Sequence, residues 1–135
     1  MSEDVPAGFM PYRGGGNYIA HVGPFYEKPE GDNYVRGFRM LEKHANPLLV
    51  AHGGLMCTFA DSVLGRKVRT VAAGGAFVTA RMVVDFLGGV KIGDWVEGRA
   101  TITRTTRSLV FLRAEVTVGD QPVLSADAIF KLLSR

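Results

Sequence analysis

Only one stretch of this chain carries a long helical pattern, and the rest must be arranged around it. Leu55, Met56, Phe59, Ala60, Val63, Leu64, Val68 and Val71 recur at the spacing of one buried helix face. The pattern predicts a helix from about Gly53 to about Thr70. Upstream, the Pro47 ring crowds Asn46 and disfavours helix there, so the approach to the helix is a loop. Gly53-Gly54 stands where that loop becomes helix. With no side chains, the pair lets a ligand atom reach the first backbone N–H groups, which have no intrahelical acceptor. Those groups lie at the positive end of the helix dipole and suit an anion or a developing oxyanion. One acid, Asp61, interrupts the apolar run two turns in.

His52 and Asp61 are nine residues apart. Helical geometry separates them by roughly 13 Å along the axis and about half a turn around it. A single copy of the helix therefore does not bring both to one reacting atom. A second copy, antiparallel in a two-fold dimer, would set His52 of one chain near Asp61 of the other.

The 135 residues suit one domain with one core, spanning 1–135. Hydrophobic residues make up 47% and charged residues 21%, which favours folding over disorder. The net charge of +3 is too small to argue for nucleic acid and does not repel a polyanionic small molecule. Cys57 is the single cysteine, so no disulfide forms within the chain, and a cytoplasmic setting is expected. It reads as a small buried helix residue. No apolar run reaches the ~18 residues of a membrane span. Met1-Ser2-Glu3-Asp4-Val5-Pro6 lacks the basic and apolar regions of a secretory leader.

Residues 1–16, punctuated by Pro6, Gly8, Pro11 and Gly14-Gly15-Gly16, read as an irregular arm. Asn17–Val22 reads as a short strand before the turn Gly23-Pro24, residues 27–33 as a polar turn, and Asn33–Met40 as a strand. His21 reads as a surface residue and His44 as solvated or capping. Phe25, Tyr26, Met56, Phe59 and Phe86 are candidate walls for a pocket. Arg66-Lys67 and Arg69 complement the C-terminal dipole of the helix and need no other role. Four strands follow it, near 76–87, 94–104, 109–118 and 123–133. In the first, the even positions Ala76, Val78, Ala80, Met82, Val84 and Phe86 form an apolar face expected to pack on the core. One long helix packed on an antiparallel meander is an α+β layout. His21, His44 and His52 have no metal-ligand spacing with Cys57. The Gly14-Gly15-Gly16 run lacks the Lys-Ser/Thr of a phosphate loop, and no Gly-x-Ser-x-Gly elbow occurs.

Asn46, then His52-Gly53-Gly54, then Asp61, then a strand bearing Thr79 and ending toward Gly93-Asp94, is a fairly specific series. It resembles the hotdog-fold acyl-CoA thioesterases of the PaaI-like branch, named for phenylacetate catabolism, over about residues 35–135. That resemblance implies a curled antiparallel sheet wrapped on one central helix. It implies hydrolysis of an acyl-CoA to free acid and coenzyme A, without a cofactor or metal. Asp61 falls on the family acid, acting either as general base toward water or as nucleophile. Gly53 falls on the glycine whose N–H polarises the thioester carbonyl. Asn46 and His52 would orient the carbonyl and leaving sulfur or hold the loop. Thr79 falls where a hydroxyl, often Ser in the family, places the water. Gly54, Arg107 and Ser108 are the candidates for contacts with coenzyme A. Family members build each site across a homodimer interface and often pair dimers into tetramers. The alternatives are another acyl-CoA enzyme on this scaffold, such as a hydratase, and a non-catalytic acyl-CoA binding module.

Overall fold

A computed structural model describes residues 4–133, so Met1-Ser2-Glu3 of the expected arm lie outside the described residues. The central helix, α2, runs over Gly53–Val68 and buries Leu55, Met56, Phe59, Ala60, Val63, Leu64 and Val68; it stops short of the expected Thr70, so Val71, the last of the periodic set, lies past its end and is half-buried. Each large apolar side chain removed from water contributes about 1.5–3 kcal/mol. α2 lies on one face of a seven-stranded antiparallel sheet. The strands are β1 (Met10–Pro11), β2 (Tyr26–Glu30), β3 (Asn33–Arg39), β4 (Phe77–Phe86), β5 (Trp95–Thr105), β6 (Leu109–Val118) and β7 (Gln121–Leu132). Their spatial order is β1-β2-β3-β5-β6-β7-β4. The sheet curls over α2 closely enough that a Cβ on Gly98 of β5 would lie 2.6 Å from Val63 Cγ2. This is the α+β hotdog architecture expected from the sequence.

Three local expectations are corrected. Asn17–Val22 is helical: α1 covers Gly16–Val22 and pairs with no strand. Ile19 and Val22, three apart, pack on the core, and that contact decides between helix and strand in so short a segment. Within residues 27–33, Tyr26–Glu30 form β2, and the turn narrows to Gly31-Asp32. Its charged sequence hid the strand, yet Glu27 lies directly across from Arg36 of β3 and pairs with it. The third correction concerns the strand after α2. It does not continue a meander but crosses to pair with β7 at the sheet edge.

The expected apolar face of β4 is also divided. Its register on β7 slips between Thr79 and Arg81, a β-bulge at Ala80. A bulge exchanges the parity of the two faces. Before it the odd positions Phe77 and Thr79 stand over Leu132 and Phe130; after it the even positions Met82, Val84 and Phe86 stand over Ala128, Ala126 and Leu124. Val78 is consequently exposed, and Thr79 is turned toward α2.

The arm is irregular apart from β1 and is tied to the body. Phe9 is buried edge-on against Trp95. Of the two roles expected for His44 the structure shows capping, not solvation: it is buried, its Nδ1 accepts at 3.0 Å the N–H of Leu41, the N-cap of a 3-10 turn at Glu42–His44, and its Nε2 meets Val22 O. Burial holds its pKa below the usual imidazole value, with the Val22 carbonyl opposing and the Lys43 charge assisting. Phe25, Met56 and Phe59 belong to the core rather than to a pocket wall. Among the described residues no helix is long and apolar enough to cross a membrane.

Candidate active site

The loop before α2 is held by its own polar atoms. Asn46 Oδ1 accepts the N–H groups of Leu48 at 2.9 Å and Val50 at 3.2 Å, and Asn46 N–H donates to Val50 O. The turn carries Leu49 at φ 64°, a conformation a non-glycine residue adopts only where neighbours hold it. His52 is the N-cap of α2, with Nδ1 accepting Gly54 N–H at 2.9 Å. A neutral ring accepting at Nδ1 carries its proton on Nε2. Gly53, the first helical residue, keeps an N–H without an intrahelical acceptor. A Cβ placed there would meet Phe86 Cζ at 3.5 Å, so the end of β4 lies beside this glycine. His52 and Gly54 line a cavity of about 360 Å³ with His44 and Leu55.

Asp61 occupies a different place. Two turns into α2 it is half-buried, and Thr79 Oγ1 on β4 donates to its Oδ1 at 2.5 Å. The bulge at Ala80 makes this contact by turning Thr79 to the helix side. The pair opens into a groove of about 770 Å³ between α2, the start of β4 and the arm. The structure thus brings Asp61 and Thr79 together at one groove and His52 and Gly54 together at a separate cavity, with Gly53 between those two in the chain and Asn46 in the loop that precedes them. Arg107 and Ser108 stand apart from both, in the β5–β6 turn. Arg107 is exposed, and the Ser108 carbonyl accepts Leu132 N–H.

Tyr12, Arg36 and Ser62, which the sequence did not single out, also line the Asp61 groove, together with Arg66 and Arg69, which the sequence reading assigned only to the helix dipole. Arg36, only 3% exposed, donates through Nε and Nη2 to Glu27 Oε1 and through Nη1 to Ser62 Oγ. Arg66 Nε reaches the same Glu27 oxygen at 3.0 Å. Arg69 Nη2 donates to Tyr12 Oη at 3.1 Å, and the Arg36 guanidinium lies 3.6 Å from the centroid of the Tyr12 ring. Burial pushes the Tyr12 phenol up, but the Arg69 hydrogen bond and the charges of Arg36 and Arg69 together bring it below its ordinary value. A signal for part of this set was present: Asp61, Gly65 and Arg69 follow one another at four-residue spacing on one helix face. Cys57, half-buried at the groove, has its thiol pushed up by burial.

A sequence model of the thioesterase superfamily matches residues 49–125, more than half of the chain. The chain belongs to that superfamily. Over 131 residues it is 31% identical to a protein of Pseudomonas aeruginosa described as a putative esterase, covering 96% of this chain and 98% of that one. Mouse acyl-coenzyme A thioesterase 13 is 29% identical over 76 residues, 56% of this chain and 54% of its own. Among solved structures, a variant of the phenylacetic acid degradation protein PaaI from Thermus thermophilus superposes with TM-score 0.77 at 21% identity, over 86% of this chain and 98% of its own. A hypothetical thioesterase from Streptococcus pneumoniae, solved with coenzyme A, superposes with TM-score 0.75 at 18% identity, over 82% of this chain and 87% of its own.

Proposed function

We propose that this chain is a cytoplasmic thioesterase that hydrolyses acyl-CoA thioesters, as one domain working in a homodimer. The observation that carries the reading is the Asp61 carboxylate held by Thr79 in an open groove on the central helix of a thioesterase-superfamily fold. Thr79 occupies Oδ1, which leaves Oδ2 to take a proton from water as the water oxygen bonds to the thioester carbonyl carbon. The carbonyl oxygen becomes an oxyanion facing a Gly53 N–H, with the His52 Nε2–H beside it. Collapse breaks the C–S bond, coenzyme A leaves as a thiolate, and the proton on Asp61 returns to it or to solvent. A carboxylate suffices as base because a thioester is activated and its thiolate leaves readily. The solved relatives bound to coenzyme A or acetyl-CoA support this substrate class.

In this reading the Gly53 that serves Asp61 comes from a second copy. β4 is a ten-residue edge strand with Val78, Val83 and Phe86 exposed, and Leu87 just past its end is exposed too. Antiparallel pairing of two β4 strands about Val83 sets Arg81 opposite the partner's Asp85, twice by symmetry. Opposite charges in such cross-strand positions contribute about 0.2–1 kcal/mol each. The same register sets Ala80 opposite the partner's Phe86. Because Phe86 lies beside Gly53 in each chain, the partner's Gly53 then approaches Thr79 and Asp61. Thiol release from a panel of acyl-CoA thioesters tests the activity. Release by the wild-type protein and its loss in Asp61→Asn is the expected result; no release from any thioester overturns it.

A further inference from the structure

The groove beside Asp61 changes character along its length. From Asp61 toward the C-terminus of α2 its floor is apolar, formed by Gly65, where an added Cβ would lie 3.7 Å from Phe77 and 3.9 Å from Phe130. Beyond that floor come Arg66 and Arg69, the latter eight residues after Asp61, or about 12 Å along the helix. Their charge is incompletely balanced. Glu27 Oε1 is shared by Arg36 and Arg66, so one carboxylate serves two guanidinium groups. The hydrogen bond from Arg69 goes to the Tyr12 hydroxyl, a neutral acceptor. The groove therefore runs from a carboxylate, over aromatic and glycine surface, to a cationic end.

We infer that this groove is the acyl channel, and that Arg69 and Arg66, with the Tyr12 hydroxyl, receive a carboxylate at the end of the acyl group remote from the thioester. The inference rests on the thioesterase reading and names its substrate class: half-thioesters of dicarboxylic acids. The guanidinium fork matches a carboxylate in geometry as well as charge. The aromatic floor accepts the methylene chain between the two ends. Arg36, buried and fully engaged by Glu27 and Ser62, is a positioning residue: it stacks on Tyr12 and holds that hydroxyl at the cationic end. The lowered pKa of Tyr12 agrees with the local excess of positive charge.

The test compares adipyl-CoA with hexanoyl-CoA, which differ only in the terminal group. The expected kcat/KM ratio favours adipyl-CoA by about tenfold or more, mainly through KM, because a charged hydrogen-bonded pair contributes on that scale. In Arg69→Met the ratio falls to near one, and in Arg69→Glu it inverts. Equal or better turnover of hexanoyl-CoA by the wild-type protein overturns the inference. A loss shared equally by both substrates in Arg69→Met, with weaker inhibition by free coenzyme A, also overturns it and assigns the arginines to the coenzyme A phosphates. If neither thioester is hydrolysed, the thioesterase reading has failed and calorimetry with free acids decides the groove. Adipate binding lost in Arg69→Met, with no hexanoate binding, supports the carboxylate site; no difference between the two acids rejects it.

Discussion

At its N-terminus α2 meets a loop whose polar atoms hold its shape: Asn46 gathers the amides of Leu48 and Val50, and His52 caps Gly54. Two turns on, the same helix carries a carboxylate that, among the described residues, accepts one side-chain hydrogen bond, from Thr79, and opens to a groove. The first region has a backbone N–H to offer and no base. The second has a base and no backbone donor, since every N–H inside a helix already has its acceptor. In the proposed reaction neither region acts alone. The difference teaches why the proposed site needs a second copy: the free amide stands at the start of the helix and the carboxylate at its middle, and a two-fold axis is the economical way to unite them.

The strongest way to break this comparison is to remove the base. Asp61→Asn is expected to lower kcat by about 10²–10⁴-fold while the melting temperature stays close to wild type, read by thiol release and thermal unfolding. Near-wild-type turnover would assign the chemistry elsewhere. Mixing Asp61→Asn with His52→Ala subunits sharpens the point. Each heterodimer regains one intact site, so activity recovers to about a quarter of wild type if the site is shared and stays at the parental level if it is not. Thr79→Ala should lower kcat by about tenfold, the scale of one hydrogen bond to a charged group, and Thr79→Ser should restore most of it. Arg81→Glu places like charges across the inferred β4 pair and should raise the dimer dissociation constant by about tenfold. Adding Asp85→Arg should reverse this in light scattering or sedimentation, and a constant unmoved by either change would remove the β4 register.

At the N-terminal end the expected effects fall on stability. Asn46→Ala deletes two side-chain hydrogen bonds and should cost about 1–3 kcal/mol in denaturant unfolding. His44 adds a pH dependence. Its folded-state pKa lies below the unfolded value of about 6.5, because burial disfavours the imidazolium. The unfolded chain therefore binds a proton that the folded chain refuses, so stability is full above about pH 6.5 and falls as the pH drops through the folded pKa. A melting temperature that decreases from pH 7.5 to 5.5 in the wild type, and decreases less in His44→Gln, is the expected outcome.

The sequence alone determined α2 and its buried face, because seven apolar side chains at helical spacing leave little choice of element. It also determined the strands β5 to β7, whose burial alternates over most of their length, and it marked Asn46, His52, Gly53, Gly54 and Asp61 as residues to watch. Tertiary structure decided the rest. Whether Asn17–Val22 coils or extends depended on where Ile19 and Val22 found core to touch, and no property of six residues contains that information. The bulge at Ala80 belongs to the pairing of β4 with β7, and with it Thr79 faces Asp61. The cationic end of the groove joins Tyr12 of the arm, Arg36 of β3 and Arg69 at the C-cap of α2, far apart in the chain. Periodicity reports on neighbours along the chain, whereas a binding groove is made of neighbours across it, and those are fixed only when the sheet closes on its helix.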